Sequence, residues 1–161
     1  MKKILNEIEN KRKVICVNGR IGHGKTMAMS TIASELKEEI NAELFSNYGL
    51  VNSVDANELS LPSSCIVCLD EFEHVLNRDI ERACTFFEEN KEKNLIVFIT
   101  SFDSERLPES IREIIDVNLL VEKESDEKIK VTGVNVQFDK VIEIEVGKKY
   151  YDAFKIAKAF L

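Results

Sequence analysis

Three apolar runs along the chain lack the alternation of polar and apolar residues that marks a half-exposed strand. They span Val14–Val17, Cys65–Leu69 and Leu95–Thr100. A strand that is apolar at nearly every position is expected where both faces of a sheet are covered, as in parallel sheets flanked by helices. These runs therefore predict the buried centre of a mainly parallel sheet.

Segments with helical spacing separate these runs. The stretch from Thr26 to about Ile40 predicts a long helix, and apolar residues from Ile80 to Phe87 recur at i, i+3, i+4 and i+7, as on the buried side of a helix. Pro108 fits the first turn of a shorter helix that runs to about Ile115, because that position needs no backbone N–H donor. Alternating strands and helices predict right-handed crossovers between parallel strands.

Shorter elements complete the predicted order. Strands are expected at Ala42–Ser46, Val117–Glu122, Ile129–Val136 and Val141–Val146, and Tyr150–Leu161 has the spacing of a helix. No Pro/Gly-rich linker interrupts the pattern, and 161 residues suffice to cover both faces of a small sheet. We predict one domain over residues 1–161, an α/β fold whose mainly parallel central sheet is flanked by helices and followed by a short C-terminal β-hairpin and a terminal helix.

The segment after the first apolar run matches the phosphate-binding pattern G-x-x-x-x-G-K-[ST] at every fixed position. Its glycines let the backbone curl so that N–H groups point at the β and γ phosphates, while Lys25 reaches the phosphates and the Thr26 hydroxyl binds Mg²⁺. Lys93 stands where a guanine-specifying N-K-x-D motif would have its aspartate, which favours ATP over GTP. The residues expected around the nucleotide are Gly19, Arg20, Ile21, Gly22, His23, Gly24, Lys25, Thr26 and Met27.

Two acidic residues directly follow the second apolar run. A strand of this kind brings Asp70 to the carboxyl edge of a parallel sheet, where its carboxylate can bind a magnesium-coordinated water beside Thr26. Glu71 is then placed to polarise the water that attacks the γ phosphate. The pair therefore indicates ATP hydrolysis rather than phosphate transfer to a small acceptor.

Two hydroxyl residues, Thr100 and Ser101, come at the end of the third apolar run. In nucleotide hydrolases with an additional strand between the phosphate-loop strand and the acidic strand, this position holds a polar side chain that senses the γ phosphate or the attacking water. Ser and Thr are also common where strands meet loops. Both interpretations remain open from the sequence.

Charge is distributed unevenly along the chain. The formal net charge is −7, which argues against a surface that binds nucleic acid everywhere, yet residues 1–25 contain seven Lys or Arg and two Glu, a net of +5. The densest basic point, Lys11–Lys13, is either a polyanion contact or the solvated end of a helix. Lys91 and Lys93 are either DNA contacts in a loop facing a central pore or lysines attracted to a helix C-terminus.

The four cysteines lie in or beside apolar segments, where a free cysteine behaves as a small hydrophobic residue. Cys65 and Cys68 form a C-x-x-C motif without a second pair, and their odd spacing on a strand predicts side chains on opposite faces rather than a zinc or redox site. No apolar run approaches the roughly 18 to 20 residues that a membrane span requires. The N-terminus also lacks a signal-peptide core, so we expect a cytoplasmic protein, in the host cytoplasm if it is viral.

Motifs in this order resemble the FtsK/HerA superfamily of P-loop ATPases. The segments that carry the resemblance are GRIGHGKT, FSNYGL, IVCLDEFEHVL, LIVFITSFD, LPESIREIIDVNLLVE and the terminal KYYD. The chain is most similar to a compact branch that contains genome-packaging ATPases of archaeal and membrane-containing viruses and zonula-occludens-toxin-like ATPases of filamentous phages. The resemblance covers nearly the whole chain.

This resemblance implies a RecA-like core that assembles into a homo-oligomeric ring and couples ATP hydrolysis to movement of double-stranded DNA, docked on a capsid or portal-like protein. It assigns Asp70 as the magnesium-associated acid and Glu71 as the catalytic glutamate. The family usually has Thr-Gln at the end of the sensor strand, whereas this chain has Thr100-Ser101. The shorter side chain of Ser101 puts its sensing role in doubt or moves that role to Thr100.

Ring ATPases of this type need an arginine from a neighbouring subunit to offset charge on the γ phosphate. Arg112 is the first candidate and Arg78 the second, although exposed arginines are common on any surface. Two alternative functions stay open. One is an assembly or secretion ATPase of the toxin-like branch, and the other is a small nucleotide or metabolite kinase, which would usually lack the Asp-Glu pair and carry an arginine-rich lid.

Overall fold

The computed structural model describes residues 1–46 and 61–144. Within these ranges the strands are β1 (Lys13–Asn18), β2 (Glu43–Ser46), β3 (Ser64–Leu69), β4 (Asn94–Ser101), β5 (Val117–Ser125), β6 (Lys128–Gly133) and β7 (Asp139–Glu143). The helices are α1 (Lys2–Asn6), α2 (Lys25–Ile40), α3 (Phe72–Arg78), α4 (Ile80–Glu89) and α5 (Glu109–Arg112), with a 3₁₀ turn at Ser104–Arg106.

One mixed sheet joins all of these strands in the order β2-β3-β4-β1-β5-β6-β7. The first five in this order are parallel, and β6 and β7 add to β5 as an antiparallel pair. β4 therefore lies between the strand before the phosphate loop and the strand before the acidic pair. The predicted α/β fold with a mainly parallel sheet and a C-terminal hairpin is confirmed.

Helices cover the two faces of the sheet unevenly. The long helix α2 packs on one face through Met29, Ile32 and Leu36, against strand residues such as Ile15 and Phe98. On the other face, α4 and α5 cover β3, β4 and β1, and their contacts form a second core cluster. Burial on both faces explains why β1, β3 and β4 are apolar at nearly every position.

The C-x-x-C motif follows this division between the faces. Cys68 belongs to the core beneath α2, whereas Cys65 belongs to the core beneath α4 and α5. Both thiols are free and buried. The prediction that the two side chains lie on opposite faces is confirmed, and the motif contributes packing.

Some boundaries differ from the sequence prediction. β6 ends at Gly133, three residues before the predicted end at Val136, because Gly133 turns the chain so tightly that a Cβ there would lie 2.1 Å from the carbonyl oxygen of Val136. β5 continues to Ser125, beyond the predicted Glu122, because its last residues pair with β6. The predicted helix at Tyr150–Leu161 lies outside the described residues and stays a prediction.

In residues 1–46 and 61–144, no helix combines the length and apolarity that a bilayer span demands.

Candidate nucleotide-binding and hydrolysis site

The phosphate loop, Gly19 to Thr26, leads from the buried strand β1 into the first turn of α2. Gly24 precedes the helix in the left-handed region, with φ 90°, and the backbone N–H of Ala28 bonds to its carbonyl oxygen across 2.8 Å. The first N–H groups of a helix have no partner inside it and carry a partial positive charge. A triphosphate bound at Lys25 and Thr26 would therefore meet free N–H donors.

Two glycines hold the loop close to β5 and β6. A Cβ on Gly19 would lie 2.6 Å from the carbonyl oxygen of Val121, and one on Gly24 would lie 3.1 Å from Cγ2 of Ile129. Gly22 has φ 78° but has open space around it. The glycine pattern thus has two causes in this chain: close packing at Gly19 and Gly24, and left-handed backbone at Gly22 and Gly24.

Lys25 folds back over its own loop. Its ammonium donates to the carbonyl oxygen of Arg20 across 3.3 Å, and the N–H of His23 donates to the same oxygen across 3.1 Å. Lys25 is half-buried, whereas Arg20 and Ile21 are exposed. Because a single carbonyl is a weak partner for an ammonium, a phosphate oxygen can displace it.

Asp70 links the loop to the strands. Its Oδ2 accepts a hydrogen bond from the hydroxyl of Thr26 across 2.7 Å, and its Oδ1 accepts one from the hydroxyl of Thr100 across 2.7 Å. Thr100 in turn accepts a bond from the N–H of Glu71 across 2.8 Å. One continuous chain of hydrogen bonds therefore runs from the phosphate loop through Asp70, the residue after β3, to the end of β4.

Glu71 is placed at a sharp turn between β3 and α3. Its backbone lies in the left-handed region with φ 50°, which is uncommon for a residue other than Gly, Asn or Asp. Its side chain is exposed, and the described residues give its carboxylate no hydrogen-bond partner. The N–H is fixed by Thr100 while the carboxylate stays accessible to a water molecule.

Glu73, which no motif in the sequence marks, contacts the end of β4. Its Oε1 accepts hydrogen bonds from the hydroxyl of Ser101, across 2.7 Å, and from the N–H of Phe102. Acidic residues are common in the first turn of any helix, so the sequence carries no signal that distinguishes Glu73. The hydroxyl of Ser101 is thus directed at a carboxylate, and that of Thr100 at Asp70.

A buried amide at the end of β1 was also missed by the sequence prediction. Asn18 lies directly before Gly19 and donates to the side-chain oxygen of Asn118 on β5, and Asn118 donates to the hydroxyl of Ser104 across 2.9 Å. Asn18 is 6% exposed. The only available signal was a polar residue at the end of an otherwise apolar strand. This network connects the base of the phosphate loop to the turn after β4.

The arginine candidates occupy different positions. Arg112 ends α5, is exposed, and forms no ion pair with the rest of the described chain. Arg78 ends α3, and its side chain lies outside the described part of the structure. Each remains a prediction for the site of a neighbouring subunit.

The oxygen ligands near the loop fit magnesium. Mg²⁺ takes hard oxygen ligands, keeps several waters, and is usually held in nucleotide sites by one or two protein oxygens together with phosphates. The hydroxyl of Thr26 and the carboxylate of Asp70 meet this requirement, and they lie in contact with each other. A bound Mg²⁺ would neutralise phosphate charge there.

The described residues bring no group of three or more metal-ligating His, Cys, Asp or Glu side chains together. The thiol nearest the acidic pair, Cys68, is buried, and this burial, together with the charge of Asp70, raises its pKa to about 12. A thiol that stays protonated does not compete with oxygen ligands for the metal.

Comparison with known proteins identifies the fold. No protein-family model and no curated protein sequence matches the chain. The N-terminal domain of zonular occludens toxin from Neisseria meningitidis superposes with a TM-score of 0.53 at 15% identity, covering 88% of this chain and 97% of that one. The genome packaging NTPase B204 from Sulfolobus turreted icosahedral virus 2, in complex with ATP-gammaS, gives 0.55 at 12% identity, covering 83% and 98%.

A third structure, C. elegans PCH-2, gives a TM-score of 0.59 at 17% identity and covers 78% of this chain but 38% of its own. Identities this low establish the fold alone. The structural matches to the toxin domain and to B204 agree with the resemblance to toxin-like and viral packaging ATPases that the motifs indicated. The chain therefore has the RecA-like P-loop NTPase fold that the toxin domain and the viral genome-packaging NTPase share.

Proposed function

We propose that the protein is an ATP-hydrolysing motor that translocates double-stranded DNA, as a viral genome-packaging ATPase. The observation that carries the hydrolytic part is the hydrogen-bond chain from Thr26 through Asp70 to Thr100. In this chain of hydrogen bonds the hydroxyl of Thr26 and the carboxylate of Asp70 lie together at the N-terminus of α2, with Glu71 next to Asp70, and this supports a Mg²⁺ site there. The packaging part rests on the fold shared with B204 and on the motif resemblance.

In the proposed mechanism each residue has a separate task. Lys25 and the N–H groups of the loop bind the β and γ phosphates, and Thr26 with Asp70 would hold Mg²⁺, which supplies charge neutralisation. Glu71 orients and polarises the attacking water. Thr100 fixes Asp70 and the N–H of Glu71 at the same time, so the metal side and the water side of the site keep a constant separation.

For DNA contact we propose the amino edge of the sheet, opposite the nucleotide. The basic segment Lys11–Lys13 lies there beside the segment that contains Lys91 and Lys93. The two are neighbours because β1 and β4 are parallel and Lys13 is in register with Ile96. Lys11 pairs with Glu92 across 3.2 Å, so a phosphate would compete with a carboxylate for its ammonium. Lys13 and Lys93 instead donate to backbone carbonyl oxygens, which leaves their charges available to phosphates.

The direct test is ATP turnover with and without duplex DNA at low salt. We expect DNA to stimulate hydrolysis, and we expect replacement of Lys13 and Lys93 by Gln to weaken DNA binding and to flatten its dependence on salt by roughly one to two counterions. Replacement of Lys130 and Lys140 by Gln on β6 and β7 removes the same charge elsewhere and serves as the control. A turnover rate that DNA leaves unchanged would count against translocation.

A second candidate is an assembly or secretion ATPase of the toxin-like branch, which the match to the zonular occludens toxin domain favours. It predicts the same hydrolysis without stimulation by DNA. A kinase is less well supported, because kinases usually lack an acidic pair such as Asp70 and Glu71 after a buried strand. Transfer of labelled γ phosphate to a nucleoside monophosphate would identify a kinase.

A further inference from the structure

Thr100 and Ser101 are consecutive residues of β4 that bind two different carboxylates. The side chain of Thr100 donates to Asp70, and that of Ser101 donates to Glu73. Successive side chains of a strand point to opposite faces, so these two bonds leave the end of β4 in opposite directions. The end of β4, the strand expected to carry the γ-phosphate sensor, is therefore held from both faces of the sheet.

Glu73 also reaches the phosphate loop through one intermediate residue. Its carboxylate binds both the hydroxyl of Ser101 and the N–H of Phe102, and the carbonyl oxygen of Ser101 accepts the N–H of Gly19 across 3.2 Å. Ser101 is fully buried. A displacement of Ser101 would therefore move the first glycine of the loop and, through the adjacent Thr100, the contact to Asp70.

Among the described residues the carboxylate of Glu73 forms these two hydrogen bonds and no ion pair. Glu73 is half-buried, and a carboxylate in that setting loses part of its hydration. Hydrogen bonds to a charged acceptor are stronger than those between neutral groups. The contact of Glu73 therefore fixes the start of α3 relative to the segment that follows β4.

Glu71 and Glu73 differ in ways that assign them different tasks. Glu71 is exposed, and its carboxylate has no hydrogen-bond partner in the described structure. In Glu73, by contrast, Oε1 accepts hydrogen bonds from the hydroxyl of Ser101 and from the N–H of Phe102. A water-activating base must have an accessible oxygen, and a positioning group must have its oxygen occupied. Glu71 meets the first requirement and Glu73 the second.

We propose that Glu73 is a positioning residue for ATP hydrolysis that fixes the sensor strand and the base of the phosphate loop through Ser101 and Phe102. This inference rests on the hydrolytic part of the proposed function. It also accounts for the serine at this position, where the resembling family usually has glutamine. In this chain the short side chain of Ser101 anchors the strand, and the neighbouring Thr100 holds Asp70 and the N–H of Glu71.

The test compares two replacements of Glu73 that have different chemistry. The side-chain oxygen of Glu73→Gln still accepts hydrogen bonds, so we expect kcat within about threefold of wild type, whereas Glu73→Ala loses both bonds and lowers kcat by about 10- to 100-fold with a nearly unchanged KM for ATP. Glu81→Ala, an exposed acid on α4, is the matched control. A Gln variant as inactive as Glu71→Gln would overturn the proposal, because it would make Glu73 a proton acceptor.

A second readout separates this inference from the proposed function. In the nucleotide-free protein, hydrogen exchange at the amides of Phe102 and Gly19 should accelerate in Glu73→Ala and stay slow in Glu73→Gln. Ser101→Ala combined with Glu73→Ala should lower kcat no further than Glu73→Ala alone, because the two residues act as one unit. Unchanged exchange in Glu73→Ala overturns the inference, whereas a wild-type protein without ATPase activity overturns the proposed function.

Discussion

The hydroxyl of Thr100 lies 2.7 Å from Oδ1 of Asp70 while it accepts the N–H of Glu71 across 2.8 Å. One side chain thus serves as donor to one acidic residue and as acceptor for the next. Thr100 is 1% exposed, so water does not replace either bond readily. This arrangement makes the hydroxyl, rather than the bulk of the side chain, the part of Thr100 on which the site depends.

Replacement of Thr100 by Val keeps the shape of the side chain and removes its hydroxyl. The N–H of Glu71 and Oδ1 of Asp70 then each lose the bond to Thr100 and keep only their 3.1 Å contact with each other, and we expect the free energy of unfolding to fall by about 1–3 kcal/mol. Turnover of ATP should fall by about 10- to 100-fold, since the acidic pair loses its fixed spacing. Urea denaturation and steady-state kinetics measure the two effects.

Thr100→Ser is the matched control, because it keeps the hydroxyl and removes only the methyl group. It should retain turnover within about threefold. If Val and Ser gave the same turnover, the hydrogen bonds of Thr100 would have no catalytic importance.

The carboxylate of Glu71 is accessible, so its replacement by Gln should affect chemistry and leave binding intact. We expect the variant to bind ATP with normal affinity and to hydrolyse it at least about 100-fold more slowly, which is the usual effect of removing a general base. Binding is measured by titration with a fluorescent ATP analogue and hydrolysis by phosphate release. Glu122→Gln, on the exposed part of β5, controls for the loss of a negative charge. Near-normal turnover would exclude Glu71 from the catalytic role.

Much of this fold was predictable because local pattern and tertiary environment agree. The strands around Ile15, Ile66 and Phe98 are covered by helices on both faces, so nearly every residue in them is apolar. This pattern is visible in the sequence. The phosphate loop was predictable for a similar reason, since its glycines are required by backbone geometry.

The contacts of Glu73 and Asn18 were not predictable, because each depends on a distant partner. Glu73 is one of several acids near a helix start, and its role follows only from the position of Ser101, which lies 28 residues later in the chain. Asn18 depends on Asn118, at a separation of 100 residues. Strand order brings such residues together, and motif spacing contains no information on it.

The glycines of the phosphate loop differ in their tolerance of a methyl group. Ala at Gly19 would place Cβ 2.6 Å from a backbone oxygen of Val121, and backbone cannot move aside as a flexible side chain does. Ala at Gly22 meets no atom within 4 Å and suffers only from its φ of 78°. We expect a loss of about 3 kcal/mol or more in the free energy of unfolding for Gly19→Ala and about 1 kcal/mol for Gly22→Ala. Equal losses in urea denaturation would show that the loop moves away from β5 without cost.

Stability should fall at alkaline pH because two buried thiols resist ionisation. Burial raises the pKa of Cys16 and of Cys68 to about 12, and nearby carboxylates of Glu73 and Asp70 act in the same direction. In the unfolded chain both thiols ionise near pH 8.5 to 9. Above that pH the unfolded state has lost protons that the folded state retains, so the free energy of unfolding falls as pH rises, until the folded thiols ionise near pH 12.

The free energy of unfolding is expected to fall by up to about 1.4 kcal/mol per pH unit for each thiol. Denaturant titrations at pH 8, 9 and 10 measure it, and the comparison that isolates the thiols is with Cys16→Ala and Cys68→Ala, singly and together. Each replacement leaves a small cavity and lowers stability at every pH, but it should also remove one thiol's share of the slope. Lysine and tyrosine ionisation contributes equally to all of these variants and cancels in the difference. A double variant with the same pH slope as the wild type would show that the folded thiols ionise as readily as unfolded ones.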